Sequence, residues 1–190
     1  MVIGVDTMTS ILDFEDRETC IIFGDGAGGV ILEASKSNTG ILGSVLKTDG
    51  SGAESLNVLA GGSKYPASPT TIKNRQHYIK QDGKKVFKFA IQRMSDVSTK
   101  LLEDNGLNGN DIKLFIPHQA NKRIIEATGE RCNIPTDRVM VNIDKYGNTT
   151  AGTIPIALNE AVESNLISNG DYILLAAFGS GFTWGSILIK

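Results

Sequence analysis

The 190-residue chain predicts an α/β fold, a mixed β-sheet covered by helices, and three observations lead there. Short apolar, β-branched runs alternate with longer segments whose apolar residues recur at helical spacing. Some strand-like runs follow one another with only glycine-rich turns between them, so hairpins join a sheet that also contains crossovers. The composition, 41% hydrophobic and 21% charged, is that of a globular protein, and a chain of this length buries roughly 70% of its extended surface.

Taken in order, Val2–Val5 (VIGV) reads as a short buried strand. Thr19–Gly24 and Gly29–Ala34 are apolar runs separated by glycines, expected as two strands joined by a tight turn. Ile41–Lys47 alternates as a third strand. From Gly50 to about residue 84 the periodicity fails at Gly61-Gly62, Pro66 and Pro69, an irregular excursion of a length usually tied to function. Lys85–Asn105 carries a helical stripe at 86, 87, 90, 91, 94, 97, 101 and 102, and Asn105-Gly106 stops it. Ile112–Ile116 and Val139–Ile143 are expected strands flanking a helix at Asn121–Arg131. Thr150–Ser164 is an apolar helix expected to be buried on most sides, with Thr149 or Thr150 as its N-cap. Tyr172–Phe178 and Phe182–Ile189 close the chain as strands around Gly179-Ser180-Gly181.

A net charge of −2 supplies no global field for nucleic acid or an acidic membrane, so neither is an expected partner. Cys20 and Cys132 have no metal-type spacing and form no disulfide framework; no metal is expected, and both read as structural thiols in a reducing, cytoplasmic setting. The opening MVIGVDTMTS lacks a basic n-region and does not read as a secretory signal, and no apolar run approaches the ~20 residues that span a bilayer.

Gly24-Asp25-Gly26-Ala27-Gly28-Gly29 matches the spacing of a dinucleotide loop, but strand-like Val30-Ile31-Leu32 follows where a helix would have to begin; a glycine-permitted strand reversal is the better reading. His118 is one of two histidines. Such a residue is often a satisfied structural group, yet Pro117 ends a strand before it and Gln119-Ala120-Asn121 leads into a helix, placing it at a C-terminal sheet edge where α/β proteins hold ligands. Asn148, after Gly147, is either a turn or capping asparagine or a second donor. Two such donors converging on one oxygen stabilise an oxyanion or enolate, and losing one costs on the order of 10²–10³ in rate. A nucleophilic cysteine would complete such a site, and neither cysteine here has a suitable setting.

Four segments together carry a resemblance: FGDGAGGVIL (23–32), IPHQANKRI (116–124), YGNTTAGTIP (146–155) and AFGSGFTWGS (177–186). In this order they resemble β-ketoacyl-acyl-carrier-protein synthase III, of the thiolase-like fold. The resemblance implies a Cys-His-Asn enzyme that initiates fatty-acid synthesis, using coenzyme A thioesters as substrate and no separate cofactor. A cysteine takes an acyl group from acyl-CoA; malonyl-acyl carrier protein then loses CO₂ and its enolate attacks the acyl thioester. His118 and Asn148 match the family's histidine and asparagine. Phe178 matches the aromatic beside the cysteine, and the amide near Ser180 matches the acyl oxyanion hole, where glycine is more usual. Phe87, Asn121 and Arg123 match positions along the coenzyme A and pantetheine tunnel. Lys84, Lys85, Lys88 and Lys122 would form, with Arg123, a basic patch for the acidic carrier protein; the alternative is a solvated helix face. In the family the cysteine precedes the strand that VIGVD resembles. The chain therefore reads as a C-terminal half (1–190), inactive alone, with a complementary N-terminal half and a homodimer implied for the whole enzyme, and with an apolar face left uncovered. A non-catalytic half-fold that docks the carrier protein or a partner subunit is the alternative.

Overall fold

The computed structural model describes residues 1–190. Its elements are β1 (Val2–Asp6), β2 (Gly26–Val30), β3 (Ile41–Thr48), β4 (Leu56–Val58), α1 (Pro69–Lys73), β5 (Ile79–Gln81), α2 (Gly83–Asp104), β6 (Leu114–Pro117), α3 (Lys122–Arg131), α4 (Ile143–Tyr146), α5 (Thr153–Glu163), β7 (Ile173–Gly179) and β8 (Thr183–Ile189), linked in places by short 3₁₀ turns.

The central sheet has the order β3-β8-β7-β6, antiparallel except for the parallel pair β6/β7, so it is mixed as expected. Side chains alternate across β7 and divide the core in two. Leu174, Ala176 and Phe178 meet the stripe of α2 (Val86, Ala90, Ile91, Met94, Leu101, Leu102) and Ile124 of α3. Ile173 and Leu175, with Leu114 and Ile116 of β6, meet Ala157 and Ala161 of α5, whose small side chains allow a close approach. The result is a helix–sheet–helix sandwich. The Asp82 carboxylate accepts from the Lys85 N–H and starts α2; Gly106, at φ +68°, follows its end. No helix is long and apolar enough to cross a membrane, and no three His, Cys, Asp or Glu side chains gather as a metal set.

The second sheet face is only partly covered. Beyond α5, Leu46 of β3 is 74% exposed, and Ile3, Val5 and Ile31 around the β1–β2 ribbon each expose more than half of their surface. Helix α5 is itself buried along one face, at Thr153, Ala157 and Ala161, and not on most sides; Ile154, Pro155 and Leu158 look onto the open face.

Several local expectations are corrected. The glycine-rich segment is not a reversal between two strands: Gly26–Val30 is the strand, paired antiparallel with β1. Its glycines serve packing, since a Cβ on Gly26 would lie 2.7 Å from Thr149 and one on Gly28 2.9 Å from Pro155. Thr19–Gly24 is a series of turns ending in an isolated bridge from Phe23 to Asn148. Val139–Ile143 makes a single bridge to Phe115, because the Gln119 side chain occupies the hydrogen-bonding positions beyond: its amide donates to the Met140 carbonyl (3.1 Å) and accepts from the Asn142 N–H (2.9 Å). The stretch 50–84 is not wholly irregular. It contains the antiparallel β4/β5 pair and α1, and the Arg75 guanidinium clamps it to the buried Asp13 carboxylate (Nε to Oδ2 2.8 Å), holding that carboxyl down at about 2.

Candidate active site

Strand β6 is buried throughout and runs parallel to β7, so the chain leaves the sheet at its C-terminal edge through His118, whose N–H donates to the Ala176 carbonyl (2.7 Å). The imidazole lies half-buried. Its Nδ1 is 2.6 Å from Oγ1 of Thr153, the first residue of α5, and Nε2 makes no hydrogen bond within the protein. Withdrawal from water pushes the His118 pKa down to about 4, because burial disfavours the charged ring. At neutral pH the ring is uncharged and carries one proton.

Asn148 is 6% exposed and fixed through its backbone: its N–H donates to Ile22 (2.8 Å) and its carbonyl accepts from Gly24 (3.0 Å). The preceding Gly147 has φ +69°, the left-handed conformation that favours glycine. The Asn148 Oδ1 accepts from the Thr150 N–H at 2.9 Å, which orients the amide and leaves the Nδ2 donor without a partner inside the protein. Neither Thr149 nor Thr150 caps α5 as expected. Thr150 instead sits at φ +47°, uncommon for a β-branched residue, with its hydroxyl donating to the Asp6 carboxylate; the Ala151 N–H donates to the same carboxylate at 3.0 Å. A continuous series of contacts thus joins the two candidates: His118 to Thr153, Thr153 to the Thr150 carbonyl (2.9 Å), and Thr150 to Asn148.

His118 and Asn148 line one open concavity of about 2110 Å³. Phe178, Ser180, Phe87, Asn121 and Lys84 line it as well. Phe178 is buried, its ring 4.8 Å from that of Phe182. Asn121 caps α3 by accepting from the Arg123 N–H (2.9 Å). Arg123 lies outside the wall but holds its guanidinium 5.1 Å over the Phe87 ring, joining the wall to the basic residues. Lys84, Lys85 and Lys88 at the start of α2 and Lys122 and Arg123 at the start of the adjacent α3 are all exposed; Lys122 is 3.8 Å from Glu126.

Neither cysteine reaches this wall. Cys132 is buried against α2 near Thr99 and the Ser95 carbonyl, and burial pushes its thiol up to about 11, far from a thiolate at neutral pH. Cys20 lies in the turns before β2, not at the start of a strand. Two side-chain nitrogens in the wall thus have no partner inside the protein, Nε2 of His118 and Nδ2 of Asn148. Three residues of this arrangement escaped the sequence reading: Thr153, Asp6 and Gln119. Each acts through a contact distant in sequence, and only the apolar strand preceding Asp6 offered a local signal.

Two family models match the chain, 3-oxoacyl-[acyl-carrier-protein] synthase III over residues 1–50 and its C-terminal domain over residues 102–190. Among curated proteins it is 48% identical over 192 residues to a β-ketoacyl-[acyl-carrier-protein] synthase III of Koribacter versatilis and 50% identical over 192 residues to that of Chlorobaculum tepidum, in each case covering 100% of this chain and 58% of the relative. The crystal structure of 3-oxoacyl-[acyl-carrier-protein] synthase III from Aquifex aeolicus superposes with a TM-score of 0.88 at 41% identity, over 100% of this chain and 56% of that one. The chain thus spans a little over half the length of these relatives. Matched by the family's models over most of its residues, by sequence relatives at about half identity and by a solved thiolase-like structure along its whole length, the chain belongs to the 3-oxoacyl-[acyl-carrier-protein] synthase III family.

Proposed function

We propose that the chain supplies the decarboxylating part of a condensing enzyme that converts acyl-CoA and malonyl-acyl carrier protein to 3-oxoacyl-acyl carrier protein, CO₂ and CoA. The observation that supports this reading is that the His118 ring and the Asn148 amide, each with a side-chain nitrogen that has no partner inside the protein, line one concavity and are linked through Thr153 and Thr150. The bond from the malonyl methylene to its carboxylate breaks, CO₂ leaves, and the electron pair passes to the thioester oxygen. His118 Nε2 and Asn148 Nδ2 donate to that oxygen as its charge grows. The enolate carbon then attacks an acyl thioester held on a cysteine, whose thiolate leaves. As Cys20 and Cys132 lie away from the wall, that cysteine comes from outside the 190 residues, on a complementary half that covers the exposed apolar face. Phe178 and Ser180 border the acyl group, Phe87 and Asn121 the pantetheine arm, and the Lys84, Lys85, Lys88, Lys122 and Arg123 cluster receives the acidic carrier protein or coenzyme A phosphates. The whole enzyme works as a homodimer.

The test separates the two half-reactions in the natural full-length protein. His118→Ala is expected to lower decarboxylation of malonyl-carrier protein on the order of 10²-fold or more while acyl transfer from acyl-CoA persists. Undiminished decarboxylation would leave the chain as a docking module for the carrier protein.

A further inference from the structure

We propose that Thr153 is a positioning residue that decides which nitrogen of His118 bears the ring proton, holding Nδ1 as an acceptor so that Nε2 presents an N–H to the concavity. The importance of this choice for the reaction rests on the function proposed above; the choice itself does not.

A threonine hydroxyl has one proton to give. Two acceptors lie within reach of Thr153 Oγ1: His118 Nδ1 at 2.6 Å and the Thr150 carbonyl at 2.9 Å. If the hydroxyl donates to the carbonyl, the ring proton must sit on Nδ1, and Nε2 faces the concavity as a bare lone pair that repels an oxyanion. If it donates to Nδ1, the ring proton sits on Nε2 and the site gains a donor. Two observations favour the second arrangement. The Thr150 carbonyl already accepts the Thr153 backbone N–H, so it is satisfied without the hydroxyl. Nδ1 has no other partner within the protein, so its lone pair can be met only by the Thr153 hydroxyl, 2.6 Å away. The hydroxyl is also held in place. Thr153 is 3% exposed, and the turn before it is fastened to Asp6. The low basicity of the half-buried ring keeps it singly protonated, which makes the choice of nitrogen decisive.

The experiment records ¹⁵N shifts of the His118 ring in the natural full-length protein labelled with [¹⁵N]histidine, assigned by difference from His118→Gln. Wild type and Thr153→Ser are expected to show a protonated Nε2 and an unprotonated Nδ1. Thr153→Val, equal in shape but without the hydroxyl, is expected to lose that preference and to decarboxylate malonyl-carrier protein at least about tenfold more slowly in kcat with KM held within about twofold, and Thr153→Ser to restore the rate. A wild-type ring protonated at Nδ1 overturns the proposal, and so does a Thr153→Val protein that keeps both the Nε2 proton and the rate. Should Thr153→Val not fold, the wild-type and Thr153→Ser spectra decide alone. An Nε2 proton that persists in Thr153→Val at an unchanged rate, with decarboxylation still dependent on His118, removes this inference and spares the functional reading. An Nε2 proton governed by Thr153 together with decarboxylation indifferent to His118→Ala does the reverse.

Discussion

Asp6 and Thr150 stand 144 positions apart and are joined directly, the Thr150 hydroxyl donating to a carboxylate that also accepts the Ala151 N–H. The last residue of β1 thereby fixes the turn that carries Asn148 on one side and Thr153 on the other. Gly4 makes this approach possible: a Cβ there would fall 2.1 Å from the Ala151 carbonyl oxygen.

Asp6→Ala removes both hydrogen bonds and leaves Thr150 in its left-handed conformation without an anchor. The expected loss of stability is about 1–3 kcal/mol, read as a lower denaturant midpoint at unchanged m-value. Decarboxylation is expected to fall with it, because both donors lose their shared frame. Unchanged stability and rate would show that the Asp6 contact has no role in holding the turn.

Asn148→Asp preserves shape while replacing the Nδ2 donor with a carboxylate oxygen. A negative group facing a growing negative charge is expected to slow decarboxylation more than the roughly 10²–10³-fold typical of a lost donor. Single-turnover assays with malonyl-carrier protein measure it, and a rate within tenfold of wild type would remove Asn148 from the oxyanion site.

The depressed His118 pKa, caused by burial, has two consequences. The ring is already neutral well below pH 6.5, so the decarboxylation rate should show no His118 inflection near that value and should decline only as pH approaches about 4. Stability follows the sign of proton uptake. Between about pH 6.5 and 4 the unfolded histidine binds a proton that the folded one refuses, so this contribution is intact above pH 6.5 and is lost as pH falls through that window. Comparing pH-dependent unfolding of wild type and His118→Gln isolates it; identical slopes would contradict a depressed His118 pKa.

Charge reversal at Lys88 or Lys122, both exposed and outside the concavity wall, is expected to raise KM for malonyl-carrier protein severalfold with little change in kcat, and the effect should shrink with added salt. Arg123→Ala is expected to do more, since it also removes the cover over Phe87. Salt-independent KM values would make the cluster a solvated face.

Helix α2 was legible because its stripe of apolar residues and its Asn105-Gly106 stop are local signals, and packing against β7 and β8 only confirmed them. The strand before His118 and the glycine before Asn148 were legible for the same reason. Thr19–Gly24 misled because its apolar residues are strand-like in type, yet no neighbouring strand pairs with the run and Ile21 is 73% exposed. Val139–Ile143 misled because a side-chain amide, that of Gln119, took the place of a backbone ladder. Thr153 was invisible: its partner is 35 residues away, and nothing in TTAGTIP distinguishes the hydroxyl that meets His118 from the two that do not.

A crystal structure of the natural full-length protein with an unreactive malonyl-pantetheine analogue would place the thioester oxygen relative to the two donors. The expected position lies within about 3.2 Å of both His118 Nε2 and Asn148 Nδ2, with the pantetheine arm passing Phe87 and Asn121. An analogue seated in the concavity with that oxygen bonded to other groups would contradict the assignment of His118 and Asn148 as the decarboxylating pair.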